Sequence, residues 1–162
     1  MKDQFDDFLN VLKAFEQHEV EYVLIGGVAV ILHGLGRLTQ DIDVFVKLTP
    51  ENIAKLQTAL RAIYTDDAID EITLNELHEY PVIRYGTPKD FYIDIMARLG
   101  EAATYENLEI EAIEYEGIKI KLATPETLFQ LKKDTLRDKD KMDAAFLEEL
   151  IKTRRSQRKL LE

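Results

Sequence analysis

The amino-acid sequence predicts an α/β fold, with a mixed central sheet and flanking helices. Short apolar runs alternate along the chain with longer segments whose apolar residues recur at helical spacing. A chain of 162 residues, 46% of them hydrophobic, is also long and apolar enough to bury one core. We therefore expect a single domain over residues 1–162, closed by C-terminal helices over about residues 125–158.

The N-terminal half begins with a predicted amphipathic helix over residues 3–18, in which aromatic and leucine residues recur at helical spacing. A second long helix is expected after Thr49, because threonine is a good helix cap and Pro50 fits the first turn. This helix extends to about Ile63. Three shorter predicted elements lie between these helices: a strand at 22–25, a helix at 28–34 and a strand at 41–46.

The C-terminal half contains strands joined by glycine turns, followed by helices. Residues 65–79 do not distinguish between helix and strand. Thr124 and Pro125 repeat the threonine–proline helix start. The predicted elements are strands at 81–85 and 91–96, a hairpin at 108–122 around Glu116-Gly117, and helices at about 125–135 and 139–158.

Two carboxylates, Asp41 and Asp43, share one face of a predicted strand. Alternate residues of a strand point to the same side, so Arg37 and Thr39 lie on that face as well. The residues between these four are mostly apolar and take the opposite face. A strand of this kind presents acids on one side and buries its other side.

A third carboxylate, Asp94, stands between two isoleucines of the strand at 91–96. Mg²⁺ prefers oxygen ligands and is usually held by a few carboxylates together with substrate phosphates. Three carboxylates and phosphate oxygens suit two ions roughly 3.5–4 Å apart. Asp41, Asp43 and Asp94 are therefore candidate ligands for Mg²⁺ or Mn²⁺ beside a nucleoside triphosphate. Each acid taken alone is also consistent with an ordinary surface carboxylate.

Gly26 and Gly27 lie where the strand at 22–25 gives way to the next helix. Backbone amides at a helix N-terminus can bind an anion, and the absence of a side chain allows a phosphate to approach. The pair is a candidate triphosphate contact, although glycine pairs are also common in plain turns. His33, alone on the apolar helix that follows, is expected to be structural.

Together these motifs resemble the DNA-polymerase-beta-type nucleotidyltransferases. The pattern of that superfamily is an apolar strand, Gly-Gly or Gly-Ser, a helix, an Asp-apolar-Asp/Glu strand and a later apolar-Asp-apolar strand. The matching pieces here are Ile25-Gly-Gly27, Asp41-Ile-Asp43 and Ile93-Asp-Ile95. The positions of Arg37 and Thr39 are similar to those in a small prokaryotic branch that includes nucleotidyltransferase-like toxins of abortive-infection systems. The resemblance covers about residues 20–150.

The resemblance implies a minimal nucleotidyltransferase fold and transfer of a nucleoside monophosphate from an NTP to an acceptor hydroxyl. It makes Asp41, Asp43 and Asp94 the catalytic residues and the ligands of two Mg²⁺ ions. Asp94 would share the acceptor-side ion and help to deprotonate the acceptor. Gly26 and Gly27 would contact the triphosphate.

The segment 132–143 is also similar to the closing helices of that branch. This segment is therefore expected to supply further nucleotide contacts from Lys132, Arg137 and Lys139. Arg37 and Thr39, beside the acid pair, are expected contacts as well. The alternative roles are structural. Arg37 would pair with an acid, and the C-terminal cations would be neutralised within the helix pair by Asp140 and Asp143.

The expected acceptor is RNA or tRNA, ahead of a protein hydroxyl or a small molecule, and a cognate antitoxin or toxin is an expected partner. No separate substrate-binding domain is expected, which leaves the acceptor open. A phosphatase of the haloacid dehalogenase type also uses Asp-x-Asp, but its pair follows a buried apolar strand, whereas residues 37–40 are mainly polar. The stronger rival is a catalytically inactive protein of the same fold that binds a nucleotide or a partner.

The net charge of −10 argues against a general nucleic-acid coat protein. Residues 152–162 nevertheless contain five Lys and Arg residues against Glu162. This basic end either guides a phosphate-rich partner or simply stabilises a helix C-terminus. The chain contains no cysteine and no apolar run near the roughly 20 residues of a membrane helix. Its N-terminus is too acidic for a secretory signal. We therefore expect a cytoplasmic protein without membrane contact.

Overall fold

The computed structural model describes residues 4–99, 103–132 and 138–161. The helices within these ranges are α1 (Gln4–Gln17), α2 (Gly26–Leu32), α3 (Pro50–Ile63), α4 (Leu74–Glu79), α5 (Pro125–Lys132) and α6 (Asp138–Leu161). The strands are β1 (Tyr22–Ile25), β2 (Asp41–Val46), β3 (Ile83–Gly86), β4 (Tyr92–Met96), β5 (Arg98–Leu99), β6 (Ala103–Thr104), β7 (Ile110–Tyr115) and β8 (Ile118–Ala123).

Six strands form one mixed sheet in the spatial order β3-β4-β2-β1-β8-β7. The β1–β2, β3–β4 and β7–β8 pairs are antiparallel, whereas β2–β4 and β1–β8 are parallel. β5 and β6 pair separately. The predicted α/β class, with a mixed sheet and flanking helices, is therefore confirmed.

Two groups of helices surround this sheet. Helix α1 packs against α3 and β8, while α2 packs on β1 and β2 and contacts α5 and α6. The core is apolar and includes fully buried Phe15, Tyr22 and Phe45. Burial of such side chains is the main favourable term in folding. It fixes the strands that carry the acids.

Helix α3 begins as the sequence predicts. The Thr49 hydroxyl accepts a hydrogen bond from the Asn52 amide at 3.2 Å, and Pro50 occupies the first turn. The side chain of Asn52 is buried, and its amide group bonds the Glu21 and Lys47 carbonyls at 2.9 and 2.8 Å. These bonds tie α3 to the residues that flank β1 and β2.

The structure resolves the ambiguous residues 65–79 into a short 3₁₀ helix, Asp67–Glu71, followed by α4. The side chains of Asp66 and Thr73 cap these two elements. Their apolar residues are too few to give a clear period. Within the described residues, no helix combines the length and apolarity needed to cross a membrane.

Candidate functional site

The three predicted acids meet on adjacent strands. Asp43 on β2 and Asp94 on β4 are partners in the parallel register, and Asp41 lies two residues before Asp43 on the same face. Neighbouring strands are about 4.8 Å apart, so carboxyl groups at paired positions meet directly. The structure therefore brings together the acids that the sequence placed on two separate strands.

The Asp43 carboxyl is the most perturbed member of this group. Burial raises its pKa to about 7, and the charge of Asp94, a hydrogen bond with the Asp94 side chain and the charge of Asp41 add to the effect. The positive charge of Lys132 opposes it. Like charges at such short range do not ionise together readily. The ionised form of Asp43 is therefore disfavoured in this site unless a cation approaches it.

Arg84 is a site residue that the sequence analysis did not identify. It is the antiparallel register partner of Asp94 across β3 and β4. Its Nε donates to Asp94 Oδ1 at 2.9 Å, and its Nη2 donates to Asp94 Oδ2 at 3.2 Å and to Asp41 Oδ2 at 3.0 Å. These carboxylates raise the pKa of the guanidinium further. One cation thus spans two of the three acids.

A signal for Arg84 was present in the sequence. The turn after Gly86 folds β3 back onto β4, and residues at equal distances from a hairpin turn face each other. Counting outward from the turn pairs Arg84 with Asp94.

The two glycines pack against site side chains. Gly26 has a φ of +71°, and a Cβ placed there would lie 2.0 Å from Asp43 Oδ2. Only glycine suits this position, because other residues rarely adopt that φ and would also meet the carboxyl group. A Cβ on Gly27 would lie 2.6 Å from Arg37 Nη2 and 3.1 Å from Thr39 Oγ1.

A buried ion cluster closes the site from the side of α5 and α6. Arg37 donates from Nε and Nη2 to the two carboxylate oxygens of Asp143, each at 2.8 Å. Lys132 Nζ lies 2.8 Å from Asp143 Oδ2 and 3.0 Å from Asp140 Oδ1. Both aspartates are almost fully buried. Arg37 and Lys132 are thus both paired with acids in this structure.

A cleft of about 250 Å³ lies between these groups. Its walls include Val82, Arg84, Met96 and Asp140, together with seven of the predicted site residues: Gly27, Arg37, Thr39, Asp41, Asp43, Asp94 and Lys132. Arg137 lies outside the described residues, as does the side chain of Lys139. A larger cavity of about 350 Å³ beside α1 and α3 holds none of these acids. The chemistry therefore favours the smaller cleft.

The acids of the cleft bear on the expected metal. Among the described residues, no group of three or more His, Cys, Asp or Glu side chains is arranged as a metal-binding cluster. Arg84 spans Asp41 and Asp94 instead, and Asp43 is paired with Asp94. The donors at this site are carboxylate oxygens, the type that Mg²⁺ prefers. The donor chemistry therefore fits such an ion, and Arg84 occupies three of the oxygens that it would use.

His33 is structural, as expected. Its buried ring bonds the Ala123 carbonyl through Nε2 at 3.0 Å, and Nδ1 lies 3.5 Å from Glu111 Oε1. Burial lowers its pKa. The ring therefore ties α2 to β7 and β8 and takes no part in the cleft.

A sequence model described as "Nucleotidyl transferase AbiEii toxin, Type IV TA system" matches residues 8–153. Among curated proteins, no sequence matches the chain.

Several solved structures share the fold. The lincosamide antibiotic adenylyltransferase LnuA, in its lincomycin-bound form, has 20% identity and a TM-score of 0.63, with 88% of this chain and 95% of that chain covered. ANT(2'')-Ia in complex with adenylyl-2''-tobramycin has 15% identity and a TM-score of 0.54, with 98% and 99% covered. An antigenic nucleotidyltransferase-like protein from Paracoccidioides brasiliensis has 15% identity and a TM-score of 0.55, with 89% and 77% covered.

Proposed function

Because the chain belongs to the nucleotidyl transferase family of AbiEii toxins of type IV toxin–antitoxin systems, we propose that it transfers a nucleoside monophosphate from an NTP to an acceptor hydroxyl. The superfamily and the enzyme class predicted from the sequence are confirmed by this membership. The reaction site proposed here is the cleft that contains Asp41, Asp43 and Asp94.

One observation carries this assignment. Asp43 and Asp94 are register partners on parallel strands, with Asp41 on the same face, so three carboxylates border one cleft. Four carboxylates line that cleft, and a fifth, on Asp143, bonds two of its lining residues. Only three cations oppose them among the described residues: Arg37, Arg84 and Lys132. The surplus of negative charge favours a bound divalent cation.

Asp41 and Asp43 would hold Mg²⁺ or Mn²⁺ on the nucleotide side, and Asp94 would share the acceptor side. Such an ion, when bound, neutralises triphosphate charge and favours ionisation of the acceptor hydroxyl. The acceptor oxygen forms a bond to the α-phosphorus, and the bond from that phosphorus to the bridging oxygen breaks. Pyrophosphate leaves, and Asp94 takes the acceptor proton. Chemistry of this type depends mainly on positioning and charge stabilisation.

Triphosphate contacts are assigned to residues that surround the acids. Gly27, Thr39, Arg37 and Lys132 line the cleft. Asp143 bonds both Arg37 and Lys132, and so fixes two positive charges beside the proposed triphosphate site. Gly26 supports Asp43, and Arg137 and Lys139 remain proposed contacts.

RNA, including tRNA, is the proposed acceptor. Two relatives of this fold are named with antibiotics, lincomycin and adenylyl-2''-tobramycin, which makes a small molecule the competing class. The toxin family favours the larger substrate, and a cognate antitoxin is the proposed partner. The basic end of α6 supplies exposed Arg155, Arg158 and Lys159 for contact with phosphates.

The test is pyrophosphate release and labelling of total cell RNA with each α-labelled NTP in the presence of Mg²⁺. Replacing Arg155, Arg158 and Lys159 by Gln should weaken RNA labelling. It should also make the labelling less dependent on salt concentration, because fewer phosphates are neutralised. This change leaves the Arg154–Glu111 pair at 3.1 Å intact. Glu79→Gln, an exposed change at the end of α4, is the control. Nucleotide binding without pyrophosphate release from any acceptor pool would favour the inactive binding protein.

A further inference from the structure

Arg84 occupies the point where the acid cluster is open to solvent. It bonds Asp94 through two nitrogens and reaches Asp41 with one of them, at distances between 2.9 and 3.2 Å. A guanidinium in this position satisfies carboxylate oxygens that a divalent cation would need. Arg84 and such a cation therefore compete for the same oxygens.

Burial does not hold Arg84 in this position. Its side chain is 53% exposed, whereas that of Arg37, fixed to a fully buried Asp143, is 11% exposed. Water can therefore reach the guanidinium, whereas the side chains of Asp94 and Asp41 are only 13% and 26% exposed. The two arginines of the cleft thus differ in exposure: Arg37 is buried against the helix pair, and about half of the Arg84 side chain is in contact with solvent.

Arg84 makes a second contact, with the ring of Tyr92. Its Cζ lies 4.4 Å from the centroid of the Tyr92 ring. Tyr92 is partly exposed and packs beside Gly86, where an added Cβ would meet the ring at 3.4 Å. An aromatic face attracts a guanidinium while leaving its N–H groups free to bond an anion. The ring therefore supports the guanidinium of an arginine that itself lines the cleft.

We propose that Arg84 is a nucleotide-binding residue with two bonding states. In the metal-free enzyme it neutralises Asp41 and Asp94, and when a divalent cation takes those oxygens it turns on the Tyr92 ring to bond phosphate oxygens of the NTP. The phosphate is the anion that the proposed function brings into the cleft, so this inference rests on that function. A planar guanidinium suits bidentate contact with phosphate.

The test measures binding by calorimetry, without turnover. Mn²⁺ alone should bind Arg84→Ala several-fold more tightly than wild type, because the competing cation is gone. A non-hydrolysable NTP analogue, at saturating Mn²⁺, should bind the variant several-fold more weakly. Arg84→Gln, which keeps most of the side chain, should behave like the alanine variant. Arg61→Ala removes another exposed arginine that pairs with an acid, Asp70, and should change neither affinity.

Unchanged or weaker Mn²⁺ binding by both Arg84 variants would overturn the competition, and unchanged analogue binding would overturn the phosphate contact. Absence of Mn²⁺ binding by wild type and variants alike would overturn the inference together with the metal site. Failure of the proposed function gives a different result: no pyrophosphate is released, while Arg84→Ala still tightens Mn²⁺ binding.

Discussion

Asp43 and Asp94 are register partners on β2 and β4, and their carboxyl groups line the same cleft. Pairing of two acids in a partly buried position is unfavourable unless a proton or a cation lies between them. The fold therefore holds these residues at a cost to its own stability. That cost is typical of a site built for a ligand.

The first prediction concerns pH in the metal-free protein. The pKa of Asp43 is about 7 in the folded chain and 3.8 in the reference state, so the folded state binds its proton more tightly. The contribution of Asp43 to stability is complete below about pH 4 and is lost as the pH rises toward 7. Asp43→Asn should remove this loss and be more stable than wild type at pH 8.

Urea unfolding in EDTA at several pH values between 4 and 8 measures this effect. The informative quantity is the difference between Asp43→Asn and wild type, because the titration of carboxylates distant from Asp43 cancels in it. Asp70→Asn, an exposed acid in the 3₁₀ helix, serves as the control. A difference that does not change with pH would contradict the shift of Asp43.

The second prediction concerns divalent ions. Mg²⁺ or Mn²⁺ should raise the Tm of wild type by mass action, with a gain of about 2.7 kcal/mol at a concentration one hundred times the Kd. The double variant Asp41→Asn with Asp43→Asn should lose this rise, although it begins from a higher metal-free stability. Differential scanning fluorimetry with an EDTA reference gives the shift. Equal shifts in both proteins would place the ion elsewhere.

The third prediction concerns Gly27. A valine there would collide with Arg37, since even its Cβ would lie 2.6 Å from Nη2. Because Arg37 is held by the buried Asp143, the collision should lower the stability of Gly27→Val. The folded variant should bind NTP roughly tenfold more weakly, a loss of about 1.4 kcal/mol. Gly36→Val is the matched control, because a Cβ at Gly36 meets nothing within 4 Å. Calorimetry with an NTP analogue that shows equal affinities would move the triphosphate away from Gly27.

Local patterns in the sequence predicted much of this fold. Thr49 and Pro50 start α3 as expected, and alternation placed the acids of β2 on one face, because caps and strand periodicity depend only on near neighbours. Long-range contacts were not predictable in this way. The Arg37–Asp143 pair joins residues 106 positions apart, and nothing local distinguishes it from the phosphate-binding role.

The contacts of Arg84 were predictable only in part. Its pairing with Asp94 follows from the hairpin register, but its contact with Asp41 depends on the parallel pairing of β2 with β4. That pairing joins strands separated by α3 and α4, which a local pattern does not specify.

The fourth prediction concerns the buried ion cluster. Asp143→Ala would leave Arg37 and Lys132 without their shared carboxylate, and loss of one partner from a buried pair costs about 3–5 kcal/mol. We expect a loss of that size in urea unfolding at pH 7. Glu148→Gln, on the exposed face of the same helix, should cost less than about 1 kcal/mol. Similar values for the two variants would mean that the cluster does not hold α6 in place.

The fifth prediction separates the role of Asp94 in turnover from nucleotide binding. In the proposed mechanism Asp94 accepts the acceptor proton, and removal of a general base commonly lowers a rate by about 10²–10⁴. Asp94→Asn should therefore lower kcat within this range, while the affinity for an NTP analogue in Mn²⁺ changes much less. Asp90→Asn makes the same chemical change in the preceding turn, where the φ of 65° suits asparagine, and it should keep wild-type rates. If Asp94→Asn weakened analogue binding as strongly as it lowered kcat, Asp94 would serve the nucleotide rather than the acceptor.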